Sequence, residues 1–379
     1  MRSLATLLYA ILAIVGFWLI IGLIGETLLK GRESIEIAPF QIVWRTKKFL
    51  NFIDRVGQRH RKFWKIYGDL GIVVGFGGMG FILYYFAKQA YKIISPVEKI
   101  QMPSVQLVIP GVTIPLIYGL IGLTVLIIVH ELSHGFVARA ENIPLKSVGL
   151  LLFIILPGAF VEPDEDLLKK APLRTRLRIF GAGSFANMIV ALISLLIING
   201  IALAFEPQGV EIRGVIEGSP AYGVLNPGDV IVGINGEPIK TLEEFMNFMN
   251  KTKPGDKITL TILRENKIVN ITLILGQHPK IPGKGFIGIY PTQNFVSKIG
   301  FKDGLMVLFS TFYWIYVLNF GVGLMNLLPV IPLDGGRMLI DTLTEASPKF
   351  GRLLGYSIMI LSLILLGINL IPAIRGFVG

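Results

Sequence analysis

The stretch His130-Glu131-Leu132-Ser133-His134 places three ionisable side chains inside an otherwise apolar segment that runs from Leu116 to Ala140. Such a segment is typical of a transmembrane helix, where ionisable groups are costly to bury and are usually functional. On a helix, residues four positions apart share one face, so the imidazoles of His130 and His134 can reach a single Zn²⁺. Glu131 then stands beside that ion, where its carboxylate can take a proton from an attacking water. The pattern predicts a catalytic metal site inside a membrane.

A structural alternative is that these side chains only bond one another within a helix bundle. The chain has 4 histidines among 379 residues. Because histidine is this rare, a His-Glu-x-x-His string would occur by chance in roughly one or two of a thousand such sequences. Because an ionisable cluster in a membrane is functional by default, we favour the metal site.

Composition also indicates a membrane protein. Hydrophobic residues make up 53% of the chain, charged residues make up 16%, and the mean hydropathy is +0.66. The apolar runs predict a polytopic α-helical membrane protein with about six transmembrane helices. Their predicted bounds are Leu4 to Ile24, Gly71 to Tyr91, Leu116 to Ala140, Ile179 to Ala204, Leu305 to Leu328 and Leu353 to Ile371. The first run resembles a signal peptide, but it is long and lacks a small-residue cleavage site, so we expect it to be retained.

Two groups of Lys and Arg orient these helices, one between Glu26 and Asp69 and the other between Lys146 and Arg178. Positively charged loops lie preferentially on the cytoplasmic side. Both termini and the segment from Pro207 to Gln293 are then expected outside the cytoplasm, with the active site towards the cytoplasmic side. This topology and the anionic headgroups of the lipid bilayer account for the net charge of +11. The sequence has no nucleic-acid motif, and we expect no nucleic-acid partner.

A zinc ion held by two histidines needs a third protein ligand and an open position for water. The chain has no cysteine, which excludes a thiolate ligand. His60 lies in a basic loop and His278 lies in the outer segment, so a carboxylate is expected. Asp334 is favoured, because it follows two helix-breaking prolines in the stretch from Asn326 to Gly336 and precedes two glycines that permit tight turns. Rival carboxylates in a polar stretch are Glu162, Asp164 and Glu165.

Three motifs together resemble the site-2 protease family of intramembrane zinc metalloproteases. They are the His130-to-His134 helix, Gly183-Ser184-Phe185-Ala186-Asn187, and Asn326-Leu327-Leu328-Pro329-Val330-Ile331-Pro332-Leu333-Asp334-Gly335. The resemblance covers roughly Leu116 to Ile340 and implies a core of three helices that contribute these motifs in order.

The resemblance implies His130, His134 and Asp334 as zinc ligands and Glu131 as the catalytic acid/base. It also implies substrates that are single-span membrane proteins, cut within or near the membrane. Asn326 is a candidate donor to the developing oxyanion, although an asparagine in a membrane helix can also bond to a neighbouring helix. Asn187 is a weaker candidate for substrate contact. The alternative function is a catalytically inactive membrane scaffold.

The run from Val148 to Leu156 is too short to span a membrane and is followed by Pro157-Gly158. It predicts a membrane-associated strand in the cytoplasmic half of the bilayer. The stretch from Val148 to Phe160 is therefore a candidate substrate clamp: its edge could pair with an extended substrate, or it could be a buried structural strand.

From Pro207 to Gln293 charges return and turn residues separate short β-type runs, which indicates a soluble domain. The stretches Gly214-Val215-Ile216-Glu217-Gly218-Ser219-Pro220-Ala221 and Leu225-Asn226-Pro227-Gly228-Asp229-Val230-Ile231 resemble a PDZ domain of bacterial and archaeal proteases. Its predicted helix is Thr241 to Met249, and its later strands are Lys257 to Leu263 and Ile268 to Leu275. Such a domain binds an extended peptide, or it acts here as a steric gate.

The expected organisation has four parts. Residues 1–115 hold two transmembrane helices, a basic cytoplasmic loop and a short outer loop, and residues 116–206 hold the first part of the membrane core. Residues 207–293 form the inserted α+β PDZ-like domain. Residues 294–379 hold the Asp334 segment and the last transmembrane helix.

Overall fold

The computed structural model describes residues 12, 15–25, 34–95, 105–106, 108–154 and 156–378. These residues form two compact units. The first comprises the described residues up to Leu196 together with those from Ser310 onwards, and the second comprises Ile197–Phe309.

Five helices of the described ranges are long and apolar enough to cross a membrane. They are α3 (Arg61–Ile94), α4 (Leu116–Ala140), α6 (Leu173–Ala202), α8 (Lys302–Met325) and α10 (Phe350–Val378). Each overlaps one of the last five predicted spans, and α4 has the predicted bounds, so the prediction of a polytopic helical membrane protein is confirmed. The first predicted span, Leu4 to Ile24, falls mainly outside the described residues. Helix α1 (Val15–Gly25) covers its end, and a total of six spans stays a prediction.

The buried face of α4 explains where the histidine pair lies. Its buried residues recur every three or four positions and include Gly122, Leu126, His130, Ser133 and Val137. This spacing marks one stripe of an α-helix. His130 therefore lies on the stripe that packs against neighbouring helices, and not on a lipid-facing surface.

A four-stranded antiparallel sheet accompanies the helices of this unit. Its strands, in the order in which they pair, are β1 (Ile35–Ala38), β2 (Gln41–Thr46), β3 (Leu145–Phe153) and β4 (Leu156–Pro163). The stretch from Val148 to Phe160 comprises most of β3 and the first part of β4. Strand β3 has no free edge for a substrate, because it is hydrogen-bonded to β2 on one side and to β4 on the other. The β1–β2 hairpin comes from the distant segment that sequence patterns treated as a basic loop. The two edge strands of this sheet are β1 and β4.

Short helices complete this unit: α2 (Leu50–Arg59), α5 (Glu165–Lys170) and α9 (Asp334–Ala346). An ion-pair cluster ties the ends of three long helices together. Arg178 at the start of α6 donates to Asp69 of α3 and to Glu141 just after α4, each at 2.6 Å. The beginning of α3, the end of α4 and the beginning of α6 are therefore adjacent, and all three carry basic residues.

The second unit is an α+β PDZ-like domain. Its strands are β5 (Phe205–Val215), β6 (Val230–Ile234), β7 (Glu237–Pro238), β8 (Lys257–Arg264), β9 (Lys267–Ile274), β10 (Gly276–Gln277), β11 (Gly285–Phe286) and β12 (Ile289–Ser297). The main sheet has the order β12-β5-β6-β8-β9, and β7 pairs with β6. Its helix is α7 (Leu242–Met249), where the predicted helix lay. The two later strands that the sequence predicted are confirmed as β8 and β9.

The helix α7 begins at a reciprocal cap. The Thr241 hydroxyl accepts from the N–H of Glu244, and the Glu244 carboxylate accepts from the N–H of Thr241. Phe245, on the inner face of α7, is 1% exposed and packs in a core with Ile212 and Leu260 of the sheet. The strands extend from Phe205 to Ser297, slightly beyond the predicted domain bounds.

Candidate active site

Three side chains converge where α4 meets the start of α9. The Nε2 atoms of His130 and His134 are 3.1 Å apart. Oδ2 of Asp334 lies 3.3 Å from the first and 3.4 Å from the second. Ligands at bond lengths of 2.0–2.1 Å on a tetrahedral zinc ion are separated by roughly 3.3 Å. The three atoms therefore have the spacing of three corners of a zinc tetrahedron, and the fourth corner is left for water or substrate.

The protonation of His134 also fits a metal ligand. Its Nδ1 lies 2.6 Å from the backbone oxygen of Ile179 on α6. A carbonyl oxygen only accepts hydrogen bonds, so Nδ1 carries the hydrogen and Nε2 of the neutral ring has a free lone pair. That lone pair is on the nitrogen that faces His130 and Asp334.

The approach of α6 to the two imidazoles depends on Gly183. A Cβ atom at this position would lie 2.4 Å from Nε2 of His134 and 2.7 Å from Cε1 of His130. Real Cβ atoms essentially never make contacts this short, so any other residue here would displace an imidazole or the helix. The sequence singled out the stretch from Gly183 to Asn187 without indicating what it touches.

Asp334 reaches the histidines because the chain folds back on itself after α8. The N–H of Gly335 donates to the backbone oxygen of Asn326 at 2.8 Å. A Cβ atom on Gly335 would lie 2.1 Å from the backbone oxygen of Leu327, so only glycine allows this closure. The buried hydroxyl of Ser184 donates to Asp334 Oδ2 at 3.5 Å. Ser184 belongs to the motif from Gly183 to Asn187, but the sequence did not indicate its contact with Asp334.

Glu131 lines the same cavity as the three converging side chains. This cavity has a volume of about 400 Å³ and is bounded on one side by β4. The N–H of Val161 donates to Glu131 Oε2 at 3.1 Å, so that N–H points away from β3. Residues two apart on a strand direct their N–H and C=O groups to the same edge. Ala159 therefore also presents its main-chain groups at the outer edge of β4, beside Glu131.

The two candidate asparagines lie in different surroundings. Asn326 is half-buried and lines the cavity with Glu131. Asn187 is fully buried, and its amide nitrogen lies 3.0 Å from Nδ1 of His130, on the side of the ring away from Asp334.

The rival carboxylates have other partners. Glu162 accepts from the Ser147 hydroxyl at 2.6 Å, Asp164 caps the first turn of α5, and Glu165 pairs with Lys169. Within the described ranges, His130, His134 and Asp334 form the one group of three potential ligand side chains whose donor atoms lie within 4.8 Å of one another.

Comparison with known proteins shows the family of this chain. The profile of peptidase family M50 matches residues 118–368, which is more than half of the sequence. The chain belongs to this family. An uncharacterised protein of Methanocaldococcus jannaschii is 32% identical over 313 residues, which cover 80% of this chain and 79% of that protein. The chain is thus a multi-pass membrane metalloendopeptidase.

More distant relatives match in part. A membrane-bound transcription factor site-2 protease homolog of Arabidopsis thaliana is 25% identical over 234 residues, which cover 58% of this chain and 44% of that protein. The zinc metalloprotease RasP of Geobacillus kaustophilus is 24% identical over 255 residues, which cover 52% and 59%. The PDZ domain of an SdrC-like protein of Listeria monocytogenes matches 22% of this chain and 88% of its own, at 29% identity and a TM-score of 0.21.

Proposed function

We propose that this peptidase is zinc-dependent and hydrolyses peptide bonds in or near the transmembrane segments of single-span, membrane-anchored proteins. The observation that carries the proposal is the zinc-sized spacing between the donor atoms of His130 and His134 on the candidate membrane helix α4 and that of Asp334 at the start of α9, with Glu131 in the same cavity.

The chemistry divides between the metal and the protein. Bound zinc supplies a Lewis acid that polarises the scissile carbonyl and lowers the pKa of a water to about 7. Glu131 takes the proton of the attacking water and passes it to the leaving amine. The hydrogen bond from Val161 holds the Glu131 carboxylate against β4. Asn326, on the cavity wall, donates to the developing oxyanion, an interaction typically worth about 3 kcal/mol.

The substrate must be unwound before it is cut, because a helical segment has no free peptide carbonyl. We assign this task to the outer edge of β4, where Ala159 presents an N–H and a C=O beside Glu131. An extended substrate segment pairs with this edge through main-chain hydrogen bonds. The pairing lays a scissile peptide across the cavity.

The proposed orientation follows from the basic helix ends. The adjacent ends of α3, α4 and α6 face the cytoplasm, so the termini and the PDZ-like domain lie outside. The chain has no cysteine, so single cysteines report topology directly. Lys62→Cys should be protected from a membrane-impermeant maleimide applied to right-side-out cells or vesicles, whereas Lys267→Cys should be labelled. The reverse pattern would contradict this orientation.

The PDZ-like domain has a role in substrate selection in this proposal, either as a filter for external size or as a binder of peptide ends. A Gly/Ser linker in place of residues 207–293 separates the two roles. Loss of the filter relaxes discrimination against bulky external domains, whereas loss of peptide binding weakens cleavage of a shortened substrate. Loss of all cleavage by a folded, zinc-loaded variant would show that the domain is needed for catalysis.

The decisive experiment for peptidase activity is Glu131→Gln. The variant should bind one zinc per chain, because its ligands are untouched, and should cleave a membrane-spanning substrate at least about 100-fold more slowly. Zinc content and cleavage are measured on the same detergent-solubilised preparation. Equal cleavage by both proteins would exclude Glu131 as the acid/base. Zinc binding without cleavage by either protein would favour an inactive scaffold.

A further inference from the structure

The amide of Asn187 is placed where it can control the orientation of one proposed metal ligand. Its nitrogen is 3.0 Å from Nδ1 of His130, and its oxygen has no hydrogen-bond partner although it is fully buried. Asn187 does not line the catalytic cavity. Contact with substrate, which the sequence suggested for Asn187, is therefore not what its position favours.

The chemistry of a bound metal requires a different pairing of these atoms. His130 directs Nε2 towards His134 and Asp334, so a metal binds to that nitrogen. The hydrogen of a neutral ring is then on Nδ1, which becomes a donor. Two donors would face each other if the amide nitrogen stayed in place. A half-turn of the amide instead brings its buried, unpaired oxygen to Nδ1.

The spacing of residues on α6 places one face of this helix against both imidazoles. Ile179, Gly183 and Asn187 are four residues apart and share one stripe of the helix. The Ile179 carbonyl accepts from His134, Gly183 lies against both rings, and Asn187 meets His130. One face of α6 thus places a hydrogen-bonding group beside each imidazole of the His pair: the Ile179 carbonyl at His134 and the Asn187 amide at His130.

We propose that Asn187 is a positioning residue, whose side-chain oxygen accepts the Nδ1–H of His130 and aims Nε2 at the metal. This inference rests on the proposed zinc site but not on the identity of any substrate. Asn187 acts on His130 as the Ile179 carbonyl acts on His134. Its loss should therefore weaken metal binding first and catalysis only as a consequence.

The test measures zinc affinity of the purified full-length protein by competition with a chromophoric chelator. Asn187→Ala should weaken zinc binding about 10- to 100-fold, the usual effect of removing such a partner. Asn187→Asp, which keeps an acceptor and has no N–H, should stay within about threefold of the unsubstituted protein. Cleavage by Asn187→Ala should recover at saturating zinc, with KM unchanged.

A matched control is Asn319→Ala. Asn319 is also fully buried, and its side-chain oxygen is also unpaired, but its amide nitrogen donates to the Ile315 carbonyl of its own helix. This variant should lose a buried amide and keep its zinc affinity. Unchanged zinc affinity in Asn187→Ala, or an equal loss in Asn187→Asp, would overturn the assignment. Failure of the unsubstituted protein to bind zinc would refute the proposed function instead.

Discussion

Replacing Gly183 with alanine should remove zinc without disrupting the helix that carries it. The new Cβ atom would lie 2.4 Å from His134 Nε2, whereas ordinary contacts of this kind are 3.4 to 4 Å. The imidazole or the helix must therefore move by about 1 Å. Bond lengths in a zinc site are held to within about 0.2 Å, so a shift of this size breaks the ligand geometry.

The expected loss is at least about 100-fold in zinc affinity, which corresponds to about 2.8 kcal/mol. Alanine is the better helix former by about 1 kcal/mol, so helix propensity does not cause the loss. The matched control is Gly200→Ala on the same helix, where a Cβ atom meets nothing within 4 Å. That variant should keep its zinc and be as stable as the unsubstituted protein, or slightly more stable.

The assay combines chelator competition, thermal unfolding and cleavage of a membrane-spanning substrate for all three proteins. Gly183→Ala should fold and bind zinc poorly. Zinc affinity of Gly183→Ala within threefold of the unsubstituted protein would refute the claim that α6 lies against the ligand imidazoles.

Three further outcomes are expected. Asp334→Ala should lose zinc and all cleavage, whereas Glu162→Ala should keep its metal content, as measured by elemental analysis. The opposite result would show that Glu162, and not Asp334, is the third ligand. Ala159→Pro should abolish cleavage by removing the outward N–H of β4, while Ala159→Val keeps that N–H and at least a tenth of the rate. Burial raises the pKa of Asp229, but the hydrogen bonds from Arg264 and a backbone N–H outweigh it and leave the pKa below its usual value. The PDZ-like domain should therefore be fully stabilised above about pH 4 and weaken as the pH falls further, as seen by hydrogen exchange, and Asp229→Asn should lack this step.

The sequence predicted those features whose signals are local. The α4 bounds agreed because the apolar run of this helix starts directly after Pro115 and the chain leaves the helix at Glu141, before Asn142 with its positive φ. The pairing of β2 with β3 could not be predicted in this way, since the two strands are about a hundred residues apart. Polar and apolar alternation indicates a strand but not its partner. For that reason the sequence could not show that β3 is paired on both sides.

The position of Asn187 was detectable only in part. The stretch from Gly183 to Asn187 was recognisable as a motif, and four-residue spacing matches the spacing of His130 and His134. Packing of two helices brings such stripes together, but a sequence does not show which stripes meet. The structure shows that the Asn187 amide meets His130, and the role that we propose for Asn187 is to position this ligand.

The chain between α8 and α9 links two proposed functions physically. Asn326 lines the cavity, and its backbone oxygen accepts a hydrogen bond from the N–H of Gly335, the residue next to Asp334. The proposed oxyanion donor and the proposed third ligand are therefore the two ends of one closed loop. Because Gly335 fits against Leu327 only without a Cβ atom, the closure leaves little freedom for either end. We therefore expect a change that opens this loop to move the proposed ligand and the proposed oxyanion donor together, and to weaken metal binding and transition-state stabilisation at once.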